Sequence, residues 1–232
     1  ESLEISSKRA GDVVSKADMA AEEFLKKTLL KSSEDAWLGE ETGSSGDADR
    51  RWIVDPLDGT TNFLRGIPHW AVSVALEIKG ELSIGVVYDP VKRETFAAEL
   101  GKGARLNDSP IAVSETKDLT SALFGTGVPF GDMPHINDHA SEIARLMPHC
   151  AGVRRMGAAA LDLAYVASGR LDGFWERRLQ LWDMAAGLVI ASEAGAKISG
   201  WDESDSPEKS GNVIAGTPAL FEKFSKLILQ SR

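Results

Sequence analysis

The residues of this chain that are best placed to do chemistry are two aspartates in a short central segment. Asp55 and Asp58 follow the apolar run of residues 51–54, which predicts a buried strand that ends in a loop. Pro56 has no backbone N–H group, so we expect the strand ladder to stop there. This spacing can aim both carboxylates and the carbonyl group of Leu57 at one point. Hard divalent cations such as Mg²⁺ bind carboxylate oxygens together with water and substrate phosphate.

The three residues after Asp58 predict a binding place for an anion. Gly59, Thr60 and Thr61 are the small and hydroxyl-bearing residues expected where a helix begins, and the backbone N–H groups of a helix start attract phosphate. A cation cluster beside an anion site is what phosphate-ester hydrolysis requires. The cations neutralise the phosphoryl oxygens, lower the pKa of a bound water and stabilise the leaving oxygen.

Each acidic residue of interest also has a purely structural interpretation. Asp-Pro and Asp-Gly are common turn dipeptides, and the adjacent Glu40 and Glu41 are typical of a solvated surface. Asp183, which precedes an apolar run, is typical of a helix N-cap. Ser15 and Asp18 have the spacing of a capping box. Taken one at a time, these residues do not separate a catalytic site from ordinary turns and caps.

Taken together, the same segments resemble the inositol monophosphatase family. The similarity runs from about Lys8 to the end of the chain, and the segments occur in the family's order. The central one is highly specific to this superfamily of metal-dependent phosphatases, and the bacterial inositol monophosphatase branch is the most similar. The segments that carry the resemblance are residues 11–18 (GDVVSKAD), 39–41 (GEE), 55–63 (DPLDGTTNF) and 181–187 (LWDMAAG).

The resemblance implies a role for each residue that matches a family motif. Asp18 and Thr60 would orient and help to deprotonate an attacking water, assisted by Glu40. Glu176 would accept hydrogen bonds from the ring hydroxyls of a sugar alcohol. Two or three Mg²⁺ ions would be held by Glu40, Asp55, the Leu57 carbonyl, Asp58 and Asp183. The substrate would contact Asp58, Gly59, Thr60, Thr61, Gly157, Ala158, Ala159, Glu176 and Asp183.

The implied activity is the hydrolysis of myo-inositol monophosphate to myo-inositol and phosphate. The resemblance implies in-line attack by a metal-activated water, no covalent intermediate, and inhibition by Li⁺. A metal site recognises only the phosphate group of its substrate. Three alternative substrates are therefore left open: fructose 1,6-bisphosphate, histidinol phosphate and 3′-phosphoadenosine nucleotides. A regulatory or scaffold protein on the same fold is a further alternative. That alternative predicts a degraded metal site, whereas every implied ligand is present here.

The chain departs from the family pattern at two places that bear on the substrate. Relatives often have Gly-Ser-Ala or Gly-Thr-Ala where this chain has residues 157–159 (GAA), so one hydroxyl that would face the substrate is absent. Arg177 and Arg178 follow Glu176 at positions where relatives tend to be less charged. These two cations either belong to a solvated loop or favour a second anionic group on the substrate.

The elements that must position these residues follow from the pattern of apolar side chains. Apolar positions recur every three or four residues between residues 15 and 31, which predicts a helix with one buried face. Residues 70–98 alternate and contain two tight-turn signals, so they predict an antiparallel meander. The second half is predicted to contain helices over residues 158–168 and 183–194 and strands over residues 173–176 and 212–215.

These elements predict an α+β fold with mainly antiparallel and mixed sheets, rather than a doubly wound parallel sheet. The family resemblance implies a layered α/β/α/β/α sandwich of the sugar-phosphatase type, and a homodimer. We expect residues 1–232 to form one domain, with 1–115 and 116–232 as its candidate halves. Because the family has a further helix before the segment at residues 11–18, we expect the natural chain to begin earlier.

The composition excludes several other classes of protein. The chain has 232 residues, with 26 Lys and Arg against 35 Asp and Glu, a formal net charge of −9. A protein that mainly binds nucleic acid needs surplus cations, so we expect a small phosphate ester as the partner instead. No apolar stretch approaches the roughly 20 residues that cross a bilayer. The single cysteine, Cys150, excludes an internal disulfide and suits a cytoplasmic protein.

Overall fold

A computed structural model of the chain describes residues 5–9, 12–31, 34–128, 133–202 and 204–230, with only the backbone of residues 5–9 and 12–15. The helices within these ranges surround and separate two sheets. They are α1 (Lys16–Leu29), α2 (Thr60–Leu64), α3 (Ile136–Leu146), α4 (Ala159–Ala167), α5 (Leu181–Glu193), α6 (Pro207–Ser210) and α7 (Phe221–Leu229). Short 3₁₀ helices cover Leu119–Ser121 and Met147–His149.

The larger sheet has eight strands and is almost entirely antiparallel. Its strands are β3 (Ala36–Gly39), β4 (Gly43–Ser45), β5 (Arg50–Asp58), β6 (Ala71–Ile78), β7 (Glu81–Asp89), β8 (Glu94–Glu99), β9 (Ala104–Leu106) and β10 (Ser109–Ile111). They lie in the order β10-β9-β8-β7-β6-β5-β3-β4, and β3 runs parallel to β5. A separate hairpin of β1 (Ile5–Arg9) and β2 (Asp12–Ser15) precedes α1. The predicted meander is confirmed as β6, β7 and β8.

The smaller sheet has five strands and is mixed. Its strands are β11 (Leu123–Thr126), β12 (Gly152–Arg154), β13 (Gly173–Glu176), β14 (Lys197–Ser199) and β15 (Val213–Gly216). They lie in the order β12-β11-β13-β15-β14. Strand β11 is parallel to both of its neighbours, and the other two pairs are antiparallel. The mixed character excludes a doubly wound parallel sheet, as the sequence predicts.

Helices α4 and α5 fill the space between the two sheets. Helix α5 packs against β5, β6, β7 and β8, and α4 packs against α5 and against β11, β13 and β15. Helix α1 contacts β5 from the opposite face of the large sheet, while α3 and α7 pack together on the outer face of the small one. The layers are therefore α/β/α/β/α, and the predicted architecture is confirmed.

The two central helices are apolar all round because both of their sides face a sheet. Every residue of α4 is buried, and so is the stretch of α5 from Met184 to Ala191. The predicted helices over residues 158–168 and 183–194 are confirmed, with α5 beginning two residues earlier than expected. In the described part of the chain, no helix has both the length and the apolar character needed to span a bilayer.

Helix α1 contradicts one expectation from the sequence. The apolar spacing predicts a buried apolar face, but the buried side chains of α1 are Asp18 and Glu22, whereas Met19 and Phe24 are exposed. Phe24 is 68% exposed. The pattern failed because polar groups at the neighbouring strand ends hold the acidic side chains inside, which compensates for their burial.

Close contact between β7 and α5 gives a test of this packing. A methyl group at Gly85 would lie 2.4 Å from the carbonyl oxygen of Ala186, so the strand and helix must separate to accept a side chain. We expect Gly85→Ala to lower the free energy of unfolding by about 1–3 kcal/mol, as overpacking does. Urea unfolding measures this loss. Ser83→Ala on the same strand is the control and should change stability by less than about 0.5 kcal/mol; equal effects would contradict the close contact.

Candidate functional site

The candidate site lies where several chain segments end close together. The last residues of strand β5 supply the central carboxylates, Asp55 and Asp58, and the turn after β3 supplies Glu40. Helix α1 supplies Asp18, strand β13 supplies Glu176, and the first turn of α5 supplies Asp183. These residues are therefore far apart along the chain, and the two-sheet fold brings them together.

A β-bulge at the end of β5 sets the direction of the central carboxylates. Asp55 pairs with Ser73, and Asp58 pairs with Ala71, so three steps on β5 face two steps on β6. The expectation that Pro56 would stop the strand was wrong, because the missing N–H group of Pro56 falls inside the bulge, where no ladder bond is needed. The Leu57 N–H group donates instead to Asp55 Oδ1 at 2.8 Å.

Asp58 is buried against the first turn of α4. Its Oδ2 accepts a hydrogen bond of 2.8 Å from the Ala160 N–H group, so a side chain from β5 caps a helix that lacks a cap of its own. Burial raises the pKa of Asp58 from 3.8 to about 7, because the lowering by the α4 N–H groups does not offset desolvation and the nearby Glu40 charge. The first turn of α4 thus fixes this carboxylate in place.

Asp55 is surrounded by like charges. Burial raises its pKa well above 3.8, and the charges of Glu40, Asp58 and Asp183 raise it further. The hydrogen bond from the Leu57 N–H group opposes this rise only in part. These four carboxylates are therefore electrostatic neighbours, and a cation bound among them would offset their repulsion.

The donor set fits hard divalent cations. It consists of carboxylates and the Leu57 carbonyl, and hard oxygen donors are what Mg²⁺ prefers. Among the residues that the structure describes, no three Asp, Glu, His or Cys side chains converge closely enough to enclose one ion. Since like charges repel, a bound cation would have to draw these side chains closer.

Asp18 and Thr60 lie together at the edge of this cluster. The Thr60 hydroxyl is 3.2 Å from Asp18 Oδ1 and 3.1 Å from the Leu57 carbonyl oxygen, and it can donate to either. Gly59 precedes α2 with a left-handed φ of 96°, which turns the chain from β5 into the short helix. Thr61 is exposed beside them. The arrangement brings together the pair that the sequence assigned to water activation.

Asp183 is at the third position of α5, whereas an N-cap residue lies just outside its helix. The capping position belongs to Gln180, whose N–H group donates to Asp183 Oδ2 at 2.7 Å. The same carboxylate raises the pKa of both Asp55 and Glu176. One side chain thus stabilises the start of α5 and contributes charge to the site, so the structural and functional interpretations of Asp183 are compatible.

Glu176, which the resemblance assigns to substrate binding, lies near two of the acidic residues, Asp183 and Asp58. Glu176 ends β13 and is only 6% exposed; burial and the charges of Asp183 and Asp58 raise its pKa well above 4.5. Gly157 is partly exposed, whereas Ala158 and Ala159 are buried. A buried carboxylate at this place would accept hydrogen bonds from substrate hydroxyls.

The Arg177 side chain is paired within the fold. Its guanidinium forms an ion pair with the buried Glu142 and stacks 4.0 Å from the ring of Trp201. Trp175 also donates to Glu142, at 3.0 Å. These contacts hold the Arg177 side chain against Glu142 and Trp201. Arg178 is exposed beside it.

Three residues near the site were not identified from the sequence. Glu22 is fully buried next to the turn that carries Glu40. Asn62 joins α2 to the chain before α4, donating to the Met156 and His69 carbonyls at 2.8 Å. Asp162 is buried within α4, and burial and the Glu176 charge raise its pKa well above 3.8. A lone acid in an apolar helix was the available signal for Asp162. Gly11, which begins the first motif, lies outside the described residues.

Comparisons with known proteins identify relatives over nearly the whole chain. A model of the inositol monophosphatase family matches residues 1–231. A Rhizobium meliloti protein named inositol-1-monophosphatase is 44% identical over 98% of this chain and 87% of its own length. A Pseudomonas aeruginosa protein named Nus factor SuhB is 44% identical over 95% of this chain and 84% of its own. The crystal structure of extragenic suppressor protein suhB from Bartonella henselae matches with a TM-score of 0.95 and 42% identity, covering 99% of this chain and 90% of that one.

The contacts of Glu142 predict a pH-dependent contribution to stability. Burial alone would raise its pKa, but hydrogen bonds from His139, Arg177 and Trp175 lower it below 4.5. A lowered pKa contributes stability above the unfolded-state value, and that stability is lost as pH falls through the folded-state value. We expect Glu142→Gln to cost about 1–3 kcal/mol at pH 7, and the difference from wild type should shrink as pH falls below 4.5.

Urea unfolding of both proteins between pH 7 and the lowest pH at which they fold measures this difference. Glu99→Gln is the control, because Glu99 forms an exposed ion pair with Lys102 and should contribute little at any pH. A deficit in Glu142→Gln that stays constant as the pH is lowered would contradict the assigned charge state.

Proposed function

The chain belongs to the inositol monophosphatase family, and we propose that it is a Mg²⁺-dependent phosphomonoesterase that hydrolyses myo-inositol monophosphate. The products would be myo-inositol and inorganic phosphate. The family relatives support a phosphatase, and the family is generally metal-dependent. The observation that carries the proposal for this chain is the group of carboxylates around Asp55. The burial of Asp55 and Asp58 and the repulsion that Asp55 receives from its neighbours are typical of a functional site rather than a solvated surface.

The proposed ligands are oxygens of residues that lie around the end of β5. Two or three Mg²⁺ ions would be held by Glu40, Asp55, the Leu57 carbonyl, Asp58 and Asp183. When bound, Mg²⁺ supplies Lewis-acid chemistry, since it neutralises phosphoryl oxygens and lowers the pKa of a water molecule. The bulge in β5 and the first turn of α4 hold Asp55 and Asp58 in place before any substrate arrives.

Asp18 and Thr60 would manage the proton of the attacking water. The Thr60 hydroxyl can donate to Asp18 Oδ1, which leaves the Thr60 oxygen as an acceptor for a water O–H group. Asp18 then holds the proton that leaves as the water oxygen attacks phosphorus. Because Asp18 is buried on a helix that packs against β5, its position does not depend on the substrate.

The phosphate would be oriented by the turn from β5 into α2. The backbone N–H groups of a first helical turn have no acceptor within their own helix, and Gly59, Thr60 and Thr61 form that turn here. In-line attack requires the leaving oxygen to lie opposite the water that Thr60 orients. The ester oxygen and its alcohol would therefore face the side of the site that Glu176 occupies.

Glu176 supports a polyol as that alcohol. Its carboxylate is buried beside Asp58 and Asp183, and a buried carboxylate needs hydrogen-bond donors. Ring hydroxyls supply such donors, whereas a second phosphate would add negative charge to an acidic pocket. With Arg177 held by Glu142, fructose 1,6-bisphosphate is a weaker candidate substrate than inositol monophosphate.

A second role alongside catalysis is supported by the names of some relatives. A protein from Pseudomonas aeruginosa that is 44% identical to this chain is named Nus factor SuhB, and one from Escherichia coli with the same name is 42% identical. We propose that this chain combines phosphatase activity with a regulatory role of that kind. In a host deleted for the protein, a catalytically inactive variant that restores the lost regulation would support it.

An oligomeric state and a cellular compartment complete the proposed function. We propose a cytoplasmic homodimer, because the family resemblance implies two subunits and the single cysteine suits a reducing compartment. Sedimentation analysis of the purified chain tests the dimer, since a monomer at micromolar concentration would refute it.

Removing one central carboxylate tests the catalytic proposal. We expect Asp58→Asn to lower kcat by at least about a hundredfold, because the variant loses a charged ligand worth several kcal/mol in the transition state. The amide oxygen can still accept from the Ala160 N–H group, so circular dichroism should show an intact fold. Asp108→Asn, in an exposed turn, is the control. Near wild-type turnover by Asp58→Asn would exclude the proposed cation cluster.

Phosphate release from a panel of esters tests the substrate and the cofactor. We expect the highest kcat/KM with inositol 1-phosphate, at least about tenfold above fructose 1,6-bisphosphate, which corresponds to roughly 1.4 kcal/mol of discrimination. Activity should require Mg²⁺ and fall when Li⁺ is added. Faster hydrolysis of the bisphosphate, histidinol phosphate or a 3′-phosphoadenosine nucleotide would reassign the substrate within the same chemistry.

A further inference from the structure

We propose that Glu22 is a positioning residue that holds the metal ligand Glu40 in place and thereby sets the Mg²⁺ affinity of the site. The proposal rests on the proposed function, because it concerns the same cations. Glu22 belongs to none of the segments that carry the family resemblance, and it is not itself one of the proposed ligands. It lies on α1, on the outer face of the large sheet, and its side chain is fully buried.

The carboxylate of Glu22 binds the turn that follows Glu40. Its Oε2 accepts a hydrogen bond of 2.7 Å from the Glu41 N–H group, and its Oε1 accepts one of 3.0 Å from the Thr42 N–H group. The Thr42 hydroxyl also donates to Oε1. Hydrogen bonds to a charged acceptor are stronger than neutral ones. The two peptide groups that follow Glu40 are thus tied to helix α1.

The chain before Glu40 is held as firmly. Gly39 is paired with Val54 on β5, and the Glu40 N–H group donates to the Val54 carbonyl at 3.2 Å. A methyl group at Gly39 would lie 2.2 Å from Glu22 Oε1, so the carboxylate sits directly against the backbone. The indole N–H group of Trp37 also donates to Oε1, at 3.4 Å. Glu22 therefore fills the space beneath the turn.

These contacts limit where the Glu40 side chain can go. With the backbone fixed on both sides, its carboxylate has only its own side-chain rotations left, and a metal that binds it has less conformational entropy to remove. Residues that orient metal ligands in this way typically contribute 10–100-fold to metal affinity or activity. An uncharged amide at position 22 would keep the volume but place an NH₂ group against backbone N–H donors.

The experiment compares Glu22→Gln with wild type and with one matched control. Glu142→Gln is the control, because Glu142 is another buried carboxylate that accepts from a Trp indole and belongs to a different layer of the fold. Each chain is titrated with MgCl₂ in a calorimeter at fixed ionic strength, and its stability is measured by urea unfolding in EDTA. We expect Glu22→Gln to raise the Mg²⁺ dissociation constant at least about tenfold, while Glu142→Gln binds Mg²⁺ like wild type despite its lower stability.

A milder variant covers the case in which Glu22→Gln does not fold. Thr42→Val removes one hydrogen bond to Glu22 at an exposed position, and we expect it to fold and to weaken Mg²⁺ binding about threefold, the effect of one ordinary hydrogen bond. Unchanged Mg²⁺ affinity in Thr42→Val and in any folded Glu22→Gln would overturn the proposal. Equal losses of affinity in Glu22→Gln and Glu142→Gln would also overturn it, since they would reflect stability alone.

Failure of the proposed function would give a different result. If wild type itself shows no saturable Mg²⁺ binding and no Mg²⁺-dependent phosphate release, the cation cluster is refuted and the role of Glu22 with it. If wild type binds Mg²⁺ and turns over substrate but the Glu22 and Thr42 variants match it, only the positioning role is refuted.

Discussion

Mutual repulsion among neighbouring carboxylates, of which Asp55 and Asp58 are buried, is the constraint on which the rest of the site depends. Glu40, Asp58 and Asp183 all raise the pKa of Asp55, and burial adds to their effect. Left to itself, such a group would separate or take up protons. It is held because three of the carboxylates accept hydrogen bonds from different rigid elements, namely the bulge of β5, the first turn of α4 and the start of α5, while the backbone around Glu40 is fixed by β5 and α1. Holding these acids close together costs the fold part of its stability, and bound cations would offset the repulsion.

The inner helical layer explains why these elements meet at one place. Helices α4 and α5 are apolar all round and pack between the sheets, so their polar N-termini must emerge at the sheet ends. Aspartates of the site bind both helix starts: Asp58 accepts from the first turn of α4, and Asp183, the third residue of α5, accepts from the N–H group of the capping residue Gln180. Helix starts favour negative charge. The same dipoles that stabilise these carboxylates therefore offset some of the cost of bringing them together.

The sequence predicts the central carboxylates better than the residues and backbone features that hold them in place. The resemblance to the inositol monophosphatases implied the carboxylate group around Asp55 and Asp58, which spacing alone left open, and apolar periodicity predicted the meander and the inner helices. Periodicity failed at α1, because a buried Glu22 and an exposed Phe24 reverse the usual polarity and only tertiary contacts explain them. Pro56 was misjudged for a similar reason, since a bulge is visible only once the partner strand is known. Arg177 could not be assigned from sequence, as its partner Glu142 is 35 residues away.

The buried acidic face of α1 connects the residues proposed for water activation with the residue proposed to position a metal ligand. Asp18 and Glu22 are four residues apart and so share one face of the helix. The first contacts Thr60, the residue proposed to handle the proton, and the second holds the turn of Glu40, the proposed metal ligand. A shift of α1 against β5 would move both at once, so the proposed water activation and cation binding would be mechanically linked. The acidic face of this helix is for that reason as much a part of the site as the ligands it supports.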